Sequence, residues 1–321
     1  MLQVLVRRVL EGTVVVVVMS LLVFLGVYML GNPVHVFSNP NASPESIQQV
    51  VKSLGLDLPL HQQYFRFVAR ASEGDLGISF VHGQPSLSLV LSRLPATIEL
   101  VVFAMALAIV VGIPLGLAAG YWPHKWTSQA ISSFSVLGIS VPAFWVGLML
   151  IILLSLEWRL LPTGGRGETV AVLGIETSLF SLDGLRHLVM PGLTLATLPL
   201  AVLVRLTRAG VREQKHADYV RFARAMGIHP LKILSRYIFR NVLVPIATVM
   251  GLLFGTLVAF AVVTETVFAW PGTGKLIIDS IKVSDRPVVI AYLLLVVVMF
   301  MAINTLVDVV SALLDPRVRL Q

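Results

Sequence analysis

Apolar residues run along this chain in long blocks separated by shorter polar intervals. Six blocks stand out, at about Gly12–Gly31, Ala96–Gly120, Ile131–Leu156, His187–Arg208, Val242–Thr264 and Val288–Leu314. Each carries too few charges for a surface helix and is longer than a core strand. Each also reaches the roughly 20 residues that a helix needs to cross a hydrocarbon core. The pattern predicts an all-α integral membrane protein with six transmembrane helices. The first block follows Arg7 and Arg8, as a secretory signal would. It is too long for a signal's apolar region and no small-x-small cleavage site follows, so it is read as a retained helix.

Two polar intervals are too long to be simple connectors. In the first, Ser43-Pro44-Glu45 is a helix start, and Ile47, Val50, Val51 and Leu54 recur at helical spacing up to Gly55. A second amphipathic stretch follows Pro59, with Tyr64, Phe67, Val68 and Ala71. A small helical subdomain is expected here, between the first and second spans. It either packs on the first span or touches a partner, through polar positions such as Gln62, Arg66 and Arg70. In the second interval, Asp218 is placed to cap a short helix that Ala223 and Ala225 favour and that Gly227 can end in the left-handed conformation. Pro230 opens the next helix, which runs through basic residues to Asn241 and Pro245. A basic stretch beside a membrane can simply attract anionic lipid. Small, aromatic and apolar residues within one short capped helix point instead to docking in a groove.

Composition removes the soluble alternative. Of 321 residues, 56% are hydrophobic and only 13% charged, where a soluble domain has about a quarter charged. The formal charge of +7 comes from residues that flank spans, so it does not mark a nucleic-acid module. Arg7, Arg8, Lys125, Arg317, Arg319 and a dense set from Arg205 to Arg240 fall on one side. The other side holds fewer cations, balanced by Glu45, Asp57, Glu73, Asp75, Glu168, Glu176 and Asp183. The positive-inside rule puts both termini and the dense basic loop in the cytoplasm. Cysteine is absent, which excludes disulfides and thiolate metal sites.

No catalytic chemistry emerges. Pro271-Gly272-Thr273-Gly274-Lys275 looks like the end of a phosphate-binding loop, but Ala269 and Leu276 stand where a glycine and a Ser or Thr are required. It is read as a tight turn. There is no HExxH and no nucleophile–base set. His35, His61, His82 and His187 are scattered in one set of loops, while His124, His216 and His229 lie in the other. A membrane-embedded enzyme would need them to converge. An ion-coupled secondary transporter would place an acid at mid-membrane. Here Glu11, Glu99, Glu265 and Asp308 all fall towards span ends, and Asn304 with Asp308 is read as a helix-packing pair.

Seven stretches in order carry a family resemblance. They are Asp57 to Ser79 (DLPLHQQYFRFVARASEGDLGIS), Leu94 to Leu100 (LPATIEL), Val141 to Gly147 (VPAFWVG), Tyr219 to Gly227 (YVRFARAMG), Arg240 to Pro245 (RNVLVP), Glu265 to Gly274 (ETVFAWPGTG) and Asp315 to Leu320 (DPRVRL). Over nearly its whole length the chain resembles permeases of the dipeptide/oligopeptide/nickel family of binding-protein-dependent ABC importers. The resemblance implies a type I importer permease fold. It also implies a second related permease, two ATPase subunits that bind ATP and Mg, an extracytoplasmic solute-binding protein and a bacterial inner-membrane location. No cofactor is implied for this chain.

On that reading residues 1–31 are the N-terminal end and first helix, 32–95 the outer subdomain and 96–314 the permease core. The core contains a coupling loop at 209–241, and 315–321 is a cytoplasmic tail. The coupling helix would comprise Asp218, Tyr219, Arg221, Phe222, Ala223, Arg224, Ala225, Met226 and Gly227. With the glycine of the family's Glu-Ala-Ala-type loop aligned on Gly227, the pattern's acid falls on Arg221 and its first alanine on Phe222, while Ala223 meets the second. Peptide permeases commonly show this variant. Thr194 and Thr197 in the fourth span, with Gly251, Gly255 and Thr256 in the fifth, are candidates to line the solute path. Small residues at such spacing also serve helix contacts. Dipeptide, longer peptide, glutathione, haem and nickel chelate all remain open as solutes.

Overall fold

The computed structural model describes residues 2–29 and 57–314, with side chains for 12–26 and 57–307. The helix expected from Ser43 lies outside these residues, as do the side chain of Asp308 and the basic tail. In chain order the helices begin with α1 (Leu2–Met29), α2 (Leu60–Ser72), α3 (Ser86–Tyr121), α4 (Trp126–Ser140) and α5 (Ala143–Glu157). A short hairpin of β1 (Val170–Val172) and β2 (Ile175–Thr177) follows. The chain continues with α6 (Leu182–Gln214), α7 (Asp218–Ala225), α8 (Pro230–Val267), α9 (Thr273–Lys282) and α10 (Arg286–Leu314). Among the described residues α3, α6, α8 and α10 are each long and apolar enough to cross a membrane, and the apolar part of α1, Gly12–Gly26, is shorter.

One expected span is broken. The apolar block Ile131–Leu156 forms two helices, α4 and α5, bent by 104°. The cause is Pro142, whose ring drives the preceding residue out of the helical region. Val141 is extended, with φ −84° and ψ 128°. Counting this pair as one span gives five among the described residues. The all-α expectation also misses the hairpin, in which Val170 pairs Thr177 and Val172 pairs Ile175. Its two-residue turn, Leu173-Gly174, has φ of 51° and 81°, the pattern of a tight hairpin turn.

The described residues pack as two compact units, Met1–Pro95 with Pro271–Ala302 and Ala96–Trp270 with Ile303–Gln321. In the first, α2 lays its aromatic side on α1. Phe24 meets Tyr64 edge-on at 5.5 Å and stacks on Phe67 at 5.9 Å, and the Tyr64 hydroxyl is 2.9 Å from Ser20 Oγ. Elsewhere in this unit the buried Asp285 carboxylate accepts the Ser79 hydroxyl and the Phe80 backbone N–H, closing the loop before α3. The Pro271–Lys275 motif is no phosphate loop: Gly272 flanks the N-terminus of α9, and Lys275 pairs with Asp279 one turn on.

In the second unit α6 is the central post. Its buried face runs through Leu188, Thr194, Leu203, Val204, Thr207 and Val211. Against it lies a stripe on α3, Gly112, Gly116 and Gly120. A Cβ at Gly116 would come within 2.6 Å of Thr207 Cβ and 2.8 Å of the Val204 carbonyl oxygen. At Gly120 it would meet Val211 Cβ at 2.7 Å and the Arg208 carbonyl oxygen at 2.9 Å. Helix association in lipid depends on such close backbone approach, because apolar burial supplies no drive there.

Candidate functional site

The loop after α6 is built as a small folded unit. Helix α7 begins one residue earlier than an Asp218 cap would place it. Ala217 is the N-cap, and its carbonyl accepts the N–H groups of Val220 and Arg221 at 3.0 and 3.2 Å. Asp218 occupies the first turn, where its charge favours the helix dipole. It makes no cap hydrogen bond and lies 3.4 Å from Arg221. The other end follows the expectation for Gly227, which has φ +71°. Its N–H donates to the Arg224 carbonyl at 3.0 Å, and the Ile228 N–H donates to Ala223 at 3.1 Å. This pair of bonds is the Schellman closure that favours glycine at this position.

The two sides of α7 differ sharply. Val220 and Ala223 are buried in one apolar cluster with Tyr121 of α3, Val211 of α6, and Ile233, Leu234, Ile238 and Val242 of α8. The short helix is thereby clamped to the ends of three long ones. Phe222 and Met226 point the other way and are 68% and 66% exposed. Arg221, Arg224 and Ala225 are exposed too, while Tyr219 is half-buried and its hydroxyl donates to Gln214 Oε1 at 2.7 Å. Below the helix, Lys215 Nζ donates to the Tyr121 carbonyl at 2.7 Å and sits 5.2 Å from the Tyr121 ring. Burial first, and the neighbouring positive charge of Arg224 second, hold its pKa below the usual lysine value.

The other expected positions separate into buried and accessible ones. Thr194 is fully buried, donates to the Met190 carbonyl at 2.9 Å, and brings its methyl against the site of Gly147. Gly255 is buried as well. Thr197 donates to Thr194 and Thr256 to Leu252, both along their own helices, and both are half-buried. Gly251 approaches Val307. On α2, Gln62, Arg66 and Arg70 are exposed, and Arg70 pairs with Asp75 at 2.7 Å. The Gly77 N–H, with Arg70 beside it, lowers the Asp75 pKa.

One polar constellation in the second unit is not visible in the sequence pattern. Glu99, buried on α3, accepts Arg166 Nη2 and the Ser178 backbone N–H, the latter at 2.7 Å. Arg166 also donates to the Glu176 carbonyl at 2.6 Å and lies 6.0 Å from the Trp270 ring. Trp270 is buried and donates its indole N–H to the Ala96 carbonyl at 2.9 Å. Nearby, fully buried Glu265 accepts the Thr97 hydroxyl at 2.7 Å. Both acids are structural anchors that tie the hairpin segment and the end of α8 to α3.

Long apolar helices suited to a membrane, with one short loop helix clamped to the ends of three of them, give the described residues the make-up of a multi-pass membrane protein. Known proteins agree. Residues 112–320 match the family described as "Binding-protein-dependent transport system inner membrane component", and residues 1–101 match its N-terminal companion. The chain is 38% identical over 317 residues to the dipeptide transport system permease protein DppB of Escherichia coli K12, covering 94% of each. It is 36% identical over 320 residues to the glutathione transport system permease protein GsiC of the same strain, covering 99% of each. A solved structure of the MetNI methionine ABC transporter in inward-facing form shares the fold, with a TM-score of 0.54 at 15% identity, over 72% of this chain and 98% of that one. The chain belongs to the family of inner-membrane components of binding-protein-dependent transport systems. It is a multi-pass permease subunit of an ABC importer, without a catalytic site of its own.

Proposed function

We propose that this permease forms half of the path for di- or oligopeptides, beside a second related permease, and that α7 couples it to one of two cytoplasmic ATPase subunits. The observation that carries the reading is the division of α7. Val220 and Ala223 lock it to α3, α6 and α8, while Phe222 and Met226 remain in the open. A helix seated by those two side chains in an ATPase groove would pass the movement of the ATPase dimer to three spans at once. The names of the relatives, dipeptide and glutathione permeases, support a small peptide as solute. Half-buried Thr197, Gly251 and Thr256 are the positions assigned to the path, and buried Thr194 and Gly255 to the packing behind it. Gln62, Arg66 and Arg70, on the side of α2 away from α1, are assigned to the solute-binding protein.

Burial of one apolar side chain is worth about 1.5–3 kcal/mol. Phe222→Ala or Met226→Ala should therefore loosen ATPase retention by roughly ten- to a hundredfold. Gly227→Val should be worst, since a β-branched residue resists the left-handed conformation that closes the helix. Arg212→Ala should change retention little, because exposed ion pairs contribute about 0–1 kcal/mol. The measurements are copurification of the ATPase and dipeptide-stimulated ATP hydrolysis. Intact assembly and coupling in the first three variants would remove α7 from the transmission path.

The Lys/Arg asymmetry further supports both termini in the cytoplasm. Because the chain has no cysteine, Gln62→Cys and His216→Cys can be labelled singly. An impermeant thiol reagent added outside should reach position 62 and not 216. Labelling of both from that side would overturn the orientation.

A further inference from the structure

Beside α7 lies a second feature, a row of cations on α8 that the coupling reading does not use. Lys232, Arg236 and Arg240, with Tyr219, Tyr237 and Asn241, line a hollow of about 480 Å³. We propose that this hollow binds the phosphate headgroup of an anionic phospholipid. The three cations stand four residues apart and so share one side of α8. They form a ladder on successive turns of the helix. The opposite side of the same turns, Ile233, Leu234 and Ile238, is buried in the cluster beneath α7. A π-helical stretch over Ile233–Ile238 distorts the helix here, as happens often at functional sites.

Charge selects the ligand. Between Asp218 and Glu265 the sequence contains no acidic residue. Lys232, Arg236 and Arg240 make no ion pair with any described residue. Three like charges facing one cavity repel each other unless an anion enters it. Arginine guanidinium groups suit phosphate oxygens because they can donate in pairs. Position selects the source of the phosphate. Directly after Arg240 and Asn241 the helix runs uncharged from Val242 to Thr264. The ladder therefore stands where a spanning helix leaves the hydrocarbon, at the depth of lipid headgroups, and its tyrosines suit the same interface.

The test uses the full chain in detergent, titrated with phosphatidylglycerol or phosphatidylcholine and followed by native mass spectrometry. Each cation close to an anionic surface contributes roughly a fivefold factor to binding. Arg236→Gln combined with Arg240→Gln should weaken phosphatidylglycerol retention by about tenfold or more. Arg212→Gln, which removes one exposed cation outside the hollow, should change it by less than about twofold. If the glutamine pair unfolds, Lys232→Gln alone should still weaken retention by roughly fivefold. Undiminished retention in these variants would overturn the proposal, as would equal binding of phosphatidylcholine. Displacement of the lipid by inorganic phosphate at comparable concentration would reassign the hollow to free phosphate. Loss of the ATPase with lipid retention intact would reassign it to an acidic partner side chain. The prediction rests on the hollow alone and survives a failure of the coupling reading, which depends on Phe222 and Met226.

Discussion

Gly116→Val will leave a permease that neither accumulates in the membrane nor supports uptake. The new Cβ would sit 2.6 Å from Thr207 Cβ and 2.8 Å from the Val204 carbonyl oxygen. The second of these is backbone and cannot swing aside, so α3 and α6 must separate. Overpacking of a core costs about 1–3 kcal/mol, and here it falls on the contact that organises the second unit. Gly120→Val repeats the clash one turn on, against Val211 Cβ and the Arg208 carbonyl oxygen. The two together should exceed either alone. Gly26→Ala is the control, since its added Cβ would meet no atom of a described residue within 4 Å, and a change of this kind stays within about 0.5 kcal/mol. Thermal unfolding in detergent, with membrane abundance, reads the difference. A Gly116→Val chain as stable as the control would mean that the two helices do not need this closeness.

Glu99→Ala should be the most damaging single loss of a charge. The side chains of Arg166 and Glu99 are 14% and 4% exposed, so removal of the carboxylate strands a guanidinium in a largely dry site. It also leaves the Ser178 N–H without its acceptor. Breaking a buried pair from one side costs about 3–5 kcal/mol. Glu99→Gln keeps the shape and one acceptor oxygen and should cost less. Glu99→Met combined with Arg166→Met should cost less than the sum of the single changes, because no lone charge remains. Unfolding midpoints would be read alongside protease cleavage in the segment from Arg166 to Ser178, which should open before the bundle does. Equal cleavage in Glu99→Ala and the unaltered chain would show that the pair does not hold the hairpin segment.

The coupling loop illustrates how far local sequence reaches. Gly227 was legible because its left-handed φ and the bonds that close α7 depend on residues within one turn. Asp218 was misplaced by one position because several residues near a helix start can serve as the cap, and the choice of Ala217 depends on how the loop leaves α6. The separation of Phe222 and Met226 from Val220 and Ala223 was not legible. All four are apolar or small, and only the partners on α3, α6 and α8 decide which pair is covered. The Gly112-x-x-x-Gly116-x-x-x-Gly120 spacing was available as a small-residue stripe, though its partner on α6 was not.

What the sequence determined by itself is the membrane class, the approximate place of each apolar block and the helix-ending glycine. These follow from transfer energies and backbone sterics that act over 20 residues or fewer. Tertiary structure decided the rest. The bend at Val141–Pro142 could have been absorbed as a kink, as Pro191 and Pro199 are inside α6. Glu99 and Arg166 are 67 residues apart, and nothing local to either marks it as the other's partner. Lys232, Arg236 and Arg240 read as ordinary juxtamembrane charge until packing of Ile233, Leu234 and Ile238 turns them together into one hollow. Local chemistry sets which residues can enter a membrane or end a helix, but pairing over long separations is chosen by the packing of whole helices.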